Sequence, residues 1–103
     1  HLRGKSWAFE LEQPDGSRRA LLTVPRFDFN WQLNYVFESP IPVPAGSRLV
    51  GKAVYDNSPG NVNNPDPAAA VGWGNLTVQE MMFASVVYSR ANVTSVPPRV
   101  LPP

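Results

Sequence analysis

An all-β fold is what this sequence predicts, and three observations predict it. Apolar residues occupy alternate positions in SWAFELE and again from Phe27 to Phe37, which is the period of a strand. β-Branched and aromatic residues dominate SRLVGKAVYDN, and they favour a pleated, half-buried surface. Proline and glycine gather between these stretches, where they set turns. Helical periodicity is missing apart from a single turn near Pro67 to Ala70. The simplest architecture for such a chain is an antiparallel jelly-roll β-sandwich.

The elements follow in order. SWAFELE sets Trp7, Phe9 and Leu11 on one side of a strand and Ser6, Ala8, Glu10 and Glu12 on the other. QPDGSRR turns it, with Pro14 fixing one backbone dihedral and Gly16 accepting a positive one, so a hairpin returns through ALLTV. The alternation Phe27, Phe29, Trp31, Leu33, Tyr35, Phe37 predicts a further strand, longer than usual and bent near Asn30. It ends at ESPIPVPAG, where three prolines deny a ladder its donors. SRLVGKAVYDN is the next strand, closed by the turn formers of NSPGNVNNPDPAAA. A last strand is expected over Glu80 to Arg90, and ANVTSVPPRVLPP reads as an extended, proline-rich tail.

A chain of 103 residues builds one core, so residues 1–90 form one domain and residues 91–103 its tail. The hydrophobic fraction of 43% fills an interior, while a charged fraction of 17% is low enough that part of the surface is expected to face a neighbour. The net charge is +1, and Arg3, Lys5, Arg18, Arg19, Arg26, Arg48, Lys52, Arg90 and Arg99 form no stripe that could track phosphates. Nucleic acid is thereby excluded as a partner. No apolar run approaches the roughly 20 residues of a membrane span, and no signal segment opens the chain. The absent initiator methionine suggests a processed or excised piece. Without cysteine there is no disulfide framework, thiolate site or thiol nucleophile. The sequons at Asn75 and Asn92 carry no weight beyond chance.

Chemistry-bearing residues are few. A serine triad would need His1, the sole histidine, and a terminal imidazole without an orienting carboxylate is a poor general base. Asp28, Asp56, Asp66 and Glu80 are more simply solvated acids than a glycosidase pair. DNSPGNVNNPD lacks the glycine and glutamate positions of an EF-hand and reads as a turn-rich connector. Trp7 and Trp31 fall on apolar strand faces and are expected in the core, while Trp73 is open to either a core or a binding role. A soft thioether and an imidazole together suit copper, which makes His1 with Met81 or Met82 a candidate metal pair, set against the plainer reading of methionines as core filling.

The stretches HLRGKSW, VPRFDFNWQLNYVFESPIPVPAGSRLVGKAVYDNSPGNVNNPDP and VGWGNLTVQEMMFASVVY resemble the C-terminal domain of the type II, ascorbate-dependent copper monooxygenases over about residues 1 to 90. The middle stretch supports the bacterial branch. The likeness to peptidylglycine α-hydroxylating monooxygenase and dopamine β-monooxygenase rests on shorter patches. In that family a jelly roll holds the oxygen-activating copper through a His-x-His pair and one methionine. Gly4 and Lys5 fall on the family's Gly-Lys, so the resemblance makes His1 the second histidine of the pair. QEMMF resembles the acidic-Met strand start, which selects Met81 over Met82. The first histidine would stand two positions before His1, outside this chain. The resemblance further implies a preceding domain of the same parent that supplies that histidine and an electron, a periplasmic or secreted setting, and no hydroxylation by this chain alone. A terminal amine forming a chelate with the His1 ring is the one substitute within the chain. Lack of cysteine departs from the disulfide-stapled animal enzymes, and no substrate-binding positions carry over. The rival expectation is a non-catalytic docking or recognition module of a larger exported redox protein.

Overall fold

A computed structural model describes residues 1–91 of the chain. The described residues are all-β, without a helix, and form one three-stranded antiparallel sheet: β1 (Gly4–Glu12), β2 (Arg18–Val24) and β3 (Arg48–Tyr55). The spatial order is β2-β1-β3, so the first strand is central and the other two are edges. Among the described residues no helix is long and apolar enough to cross a membrane. The tail lies outside the described residues, Ala91 excepted.

The hairpin between β1 and β2 forms where the sequence predicts it. Gly16 takes a φ of 85°, and the Asp15 carboxylate accepts both the backbone N–H and the hydroxyl of Ser17 at 2.8 and 2.6 Å. A second positive φ, 85° at Gly46, turns the chain into β3, with the Ser47 N–H donating to the Pro44 carbonyl. Register then sorts the side chains. Trp7, Phe9 and Leu11 face Ala53, Gly51 and Leu49 across β3, and Trp7 and Phe9 face Val24 and Leu22 across β2. A bulge between Phe9 and Glu10 resets the β2 register. Trp7 and Phe9 meet edge to face, with centroids 5.3 Å apart. The Trp7 ring lies over Gly51 so closely that a Cβ there would stand 2.8 Å from it. Leu11, 1% exposed, is the one fully buried hydrophobic residue among those described.

The opposite face is a charge lattice. Glu12 stands between Arg18 and Arg48 and bonds to both guanidinium groups, and Glu10 pairs with Lys52 at 2.8 Å. The Arg48 and Arg18 bonds hold the Glu12 carboxyl below its ordinary range. A depressed folded-state pKa stabilises the fold above the unfolded-state value, and that stabilisation disappears as pH falls through the folded value. Glu12→Gln is therefore expected to lower stability at neutral pH and to flatten its decline below about pH 4.5. Urea titrations at pH 7 and pH 3 check this, and an acid limb identical to the parent's would refute it.

Two expected strands are not formed. After Val24 the segment of Phe27 to Phe37 turns at Phe29 and Asn30, near the expected bend, but among the described residues it forms no ladder with a strand. Asp28 supplies the physical reason: its carboxylate takes the Asn30 N–H at 2.9 Å and its carbonyl takes that of Trp31 at 3.0 Å, which diverts the backbone from a ladder. Trp31, expected in the core, is 72% exposed, and Leu33, Tyr35 and Phe37 are exposed with it. Glu80 to Arg90 likewise lacks a ladder. Glu80 makes one parallel bridge to Trp73, beyond which Phe83, Val86, Val87 and Tyr88 are exposed. Alternation and β-propensity state which face a strand would bury, yet a strand exists only beside a partner. Trp73 is also exposed.

Candidate metal centre

The site is assembled at the start of β1. His1 precedes the strand in a turn closed by the Gly4 N–H and the His1 carbonyl at 3.1 Å. The Lys5 carbonyl accepts the Phe27 N–H at 2.9 Å, which fixes the segment after β2 beside the same end of the sheet. Gly4 is needed for this approach, since a Cβ on it would lie 2.7 Å from Phe27 Cδ1. The chain returns a third time at Gln79 to Met81.

These three passes enclose a cavity of about 250 Å³ lined by His1, Phe27, Phe29, Gln32, Met81 and Phe83. The imidazole meets Phe29 edge to face at 5.7 Å between centroids. His1 Nδ1 is 2.8 Å from the Gln79 carbonyl oxygen. A carbonyl only accepts, so Nδ1 carries the proton and donates it, and in the neutral ring Nε2 keeps its lone pair for another partner. A carbonyl on the far nitrogen is the arrangement that orients metal-binding histidines and raises their basicity. Met81 and Met82 part company: Met81 lines the His1 cavity, whereas Met82 Cε reaches the apolar face of the sheet over Gly51, beside Trp7.

Ion pairs hold the two ends together. The terminal ammonium of His1 donates to Glu80 Oε2 at 2.6 Å, and the Arg3 N–H donates to Glu80 Oε1 at 3.2 Å. The amine is thus engaged by a carboxylate, which opposes an amine–imidazole chelate. Burial pushes the Tyr55 phenol above its ordinary range, with the Glu80 charge adding to the shift, so Tyr55 stays neutral at this end of the sheet.

A larger cavity, about 390 Å³, opens beside Arg3 and is lined by Pro65, Asp66, Ala69, Ala70, Val71, Gly72, Val78 and Gln79. It has neither imidazole nor thioether on its walls. The connector after β3 spends several of its side-chain oxygens on its own backbone. Asp56 accepts the Ser58 N–H at 2.9 Å, Asn61 that of Asn63 at 3.0 Å, and Asp66 that of Ala68 at 2.9 Å, as a turn-rich segment should. Among the described residues there is no group of three or more His, Cys, Asp or Glu side chains able to hold an ion.

The structure thus brings His1 and Met81 to one cavity across 80 positions of sequence. Sequence reasoning missed Arg3, Gln79, Phe29 and Gln32 as members of this region. Only the acidic residue before the methionine pair pointed toward it, and nothing in the pattern marked Arg3 as buried. Comparison with protein-family models, with curated proteins and with solved structures finds no match for the chain.

Proposed function

We propose that this chain is the C-terminal domain of a type II, ascorbate-dependent copper monooxygenase of the bacterial branch, with His1 and Met81 as copper ligands. The observation that carries the reading is the shared cavity, in which the His1 Nδ1–H is committed to the Gln79 carbonyl and Nε2 is left free of it, with Met81 on the same wall. One imidazole and one thioether form a soft, polarisable pair that fits Cu(I) and suits Mg²⁺, Ca²⁺ or Mn²⁺ poorly. When bound, copper supplies the dioxygen chemistry by which a substrate C–H bond is hydroxylated. The chain's own part is to hold the ligands: Gln79 orients the imidazole, the half-buried Phe27 and Phe29 shield it, and Gln32 adds a polar amide to the wall.

Two donors are too few for a tight site, so a further histidine from upstream and an electron from a preceding domain belong to the same proposal. The three-stranded sheet is then one face of a jelly roll, and the apolar residues at Trp31, Leu33, Tyr35, Phe37, Val86, Val87 and Tyr88 are covered by neighbouring chain in a periplasmic or secreted parent protein. The same exposed residues favour a second reading, a docking module without catalysis.

Cu(I) titration of the chain carrying its natural upstream residues, followed by X-ray absorption, tests the choice. Tight binding with both nitrogen and sulfur scatterers is expected. Binding that is negligible, or that shows no sulfur, rejects the copper reading and leaves the docking module.

A further inference from the structure

We propose that Arg3 is the positioning residue that holds Met81 against the His1 cavity, an inference that rests on the copper reading above. Arg3 is 2% exposed, the one charged residue so deeply buried among those described. A buried guanidinium is destabilising unless it is paired and its donors are satisfied. Here the donors are spent in several directions: Nε to Asn57 Oδ1 at 3.0 Å, Nη1 to the Val78 carbonyl at 2.6 Å, and Nη2 to the Asp66 carbonyl at 3.4 Å. The Glu80 carboxylate lies 4.0 Å from Nη1 and supplies the balancing charge.

The backbone of Arg3 belongs to the sheet. It directly precedes β1, and its carbonyl accepts the Asp56 N–H at 2.8 Å just beyond the end of β3. Its side chain belongs to the connector, bonding residues on both sides of the long loop and ending at Val78, three positions before Met81. No ladder performs that task, because Glu80 has only its bridge to Trp73. Alongside His1 and the packing of Met82 over Gly51, Arg3 supplies the hydrogen bonds that tie the start of β1 to the Val78 to Met81 segment, one from its side chain to Val78 and one from its main chain to Glu80. A lysine has a single ammonium on a flexible stem and cannot serve acceptors spread this way.

The test is Arg3→Met, which keeps an unbranched apolar stem and deletes the donors, in the chain with its natural upstream residues. The expected result is a Cu(I) affinity lower by about 10- to 100-fold, loss of the sulfur scatterer with nitrogen scatterers retained, and an unchanged far-ultraviolet β spectrum. Adding Met81→Ala to Arg3→Met is expected to cost no further affinity, the non-additivity of two changes that act through one contact. Should Arg3→Met fail to fold, Asn57→Ala removes the Nε acceptor, together with loop bonds to Ala69 and Asn64 that Asn64→Ala controls for in part, and about 5-fold weaker binding is expected from the lost bond to Arg3. If the parent chain shows sulfur on copper and the folded variant keeps it at parental affinity, the role of Arg3 is overturned and the copper site stands. If the parent itself shows no sulfur, the copper reading has failed and the inference falls with it.

Discussion

Met81→Ala is expected to weaken Cu(I) binding about as much as Arg3→Met does, by roughly 10- to 100-fold, because both changes take the same thioether off the metal. Met82→Ala is expected to leave the affinity where it was. The two residues are adjacent and chemically identical, so any difference between them reports geometry alone. Met81 lines the cavity that holds the His1 imidazole, and Met82 packs its methyl over Gly51 beside Trp7. Thermal stability should change little in Met82→Ala, since that side chain is half exposed. Competition against a Cu(I) chelator, with melting curves on the same samples, checks both halves. Equal affinity losses in the two variants would break the assignment.

Leu11→Ala is expected to produce the largest loss of stability of any single truncation, about 2 to 5 kcal/mol. Leu11 is 1% exposed near the end of the middle strand, opposite Leu49 on one side and Arg19 on the other. A cavity opened there cannot be closed by sliding one strand, because the register on both sides is fixed by Trp7 and Phe9. Leu33→Ala, at a position 54% exposed, serves as the comparison and should fall within about 0.5 kcal/mol of the parent. Urea unfolding separates the two, and comparable losses would mean that the segment around Leu33 is packed in solution.

The parts of the fold legible in the sequence were those whose partners are near in the chain. SWAFELE and ALLTV are joined by a turn that Asp15 and Gly16 make inevitable, and SRLVGKAVY finds the free side of the same central strand. Phe27 to Phe37 was misread because alternation reports only which face would be buried, and the local competition of the Asp28 side chain for the Asn30 amide is invisible to a count of apolar residues. Glu80 to Arg90 was misread for the related reason that β-branched residues describe a willingness to pair. The candidate site was half legible: His1 and Met81 carry distinctive donor atoms, so a resemblance could single them out. Arg3 and the Gln79 carbonyl could not be found that way, since a backbone acceptor leaves no trace in composition and a buried arginine is spelled like any other.

The sheet ends on both sides in an unshielded rim. β2 and β3 each present a row of amide and carbonyl groups outward, among the described residues, which is the template on which strands from separate molecules add to one another. Arg18 and Arg19 on one rim, and Arg48 and Lys52 on the other, act as gatekeepers by their hydrated charged heads, since Glu10 and Glu12 balance the charge of Arg18, Arg48 and Lys52. Preparations of this chain should therefore be kept dilute if fibrils are to be avoided.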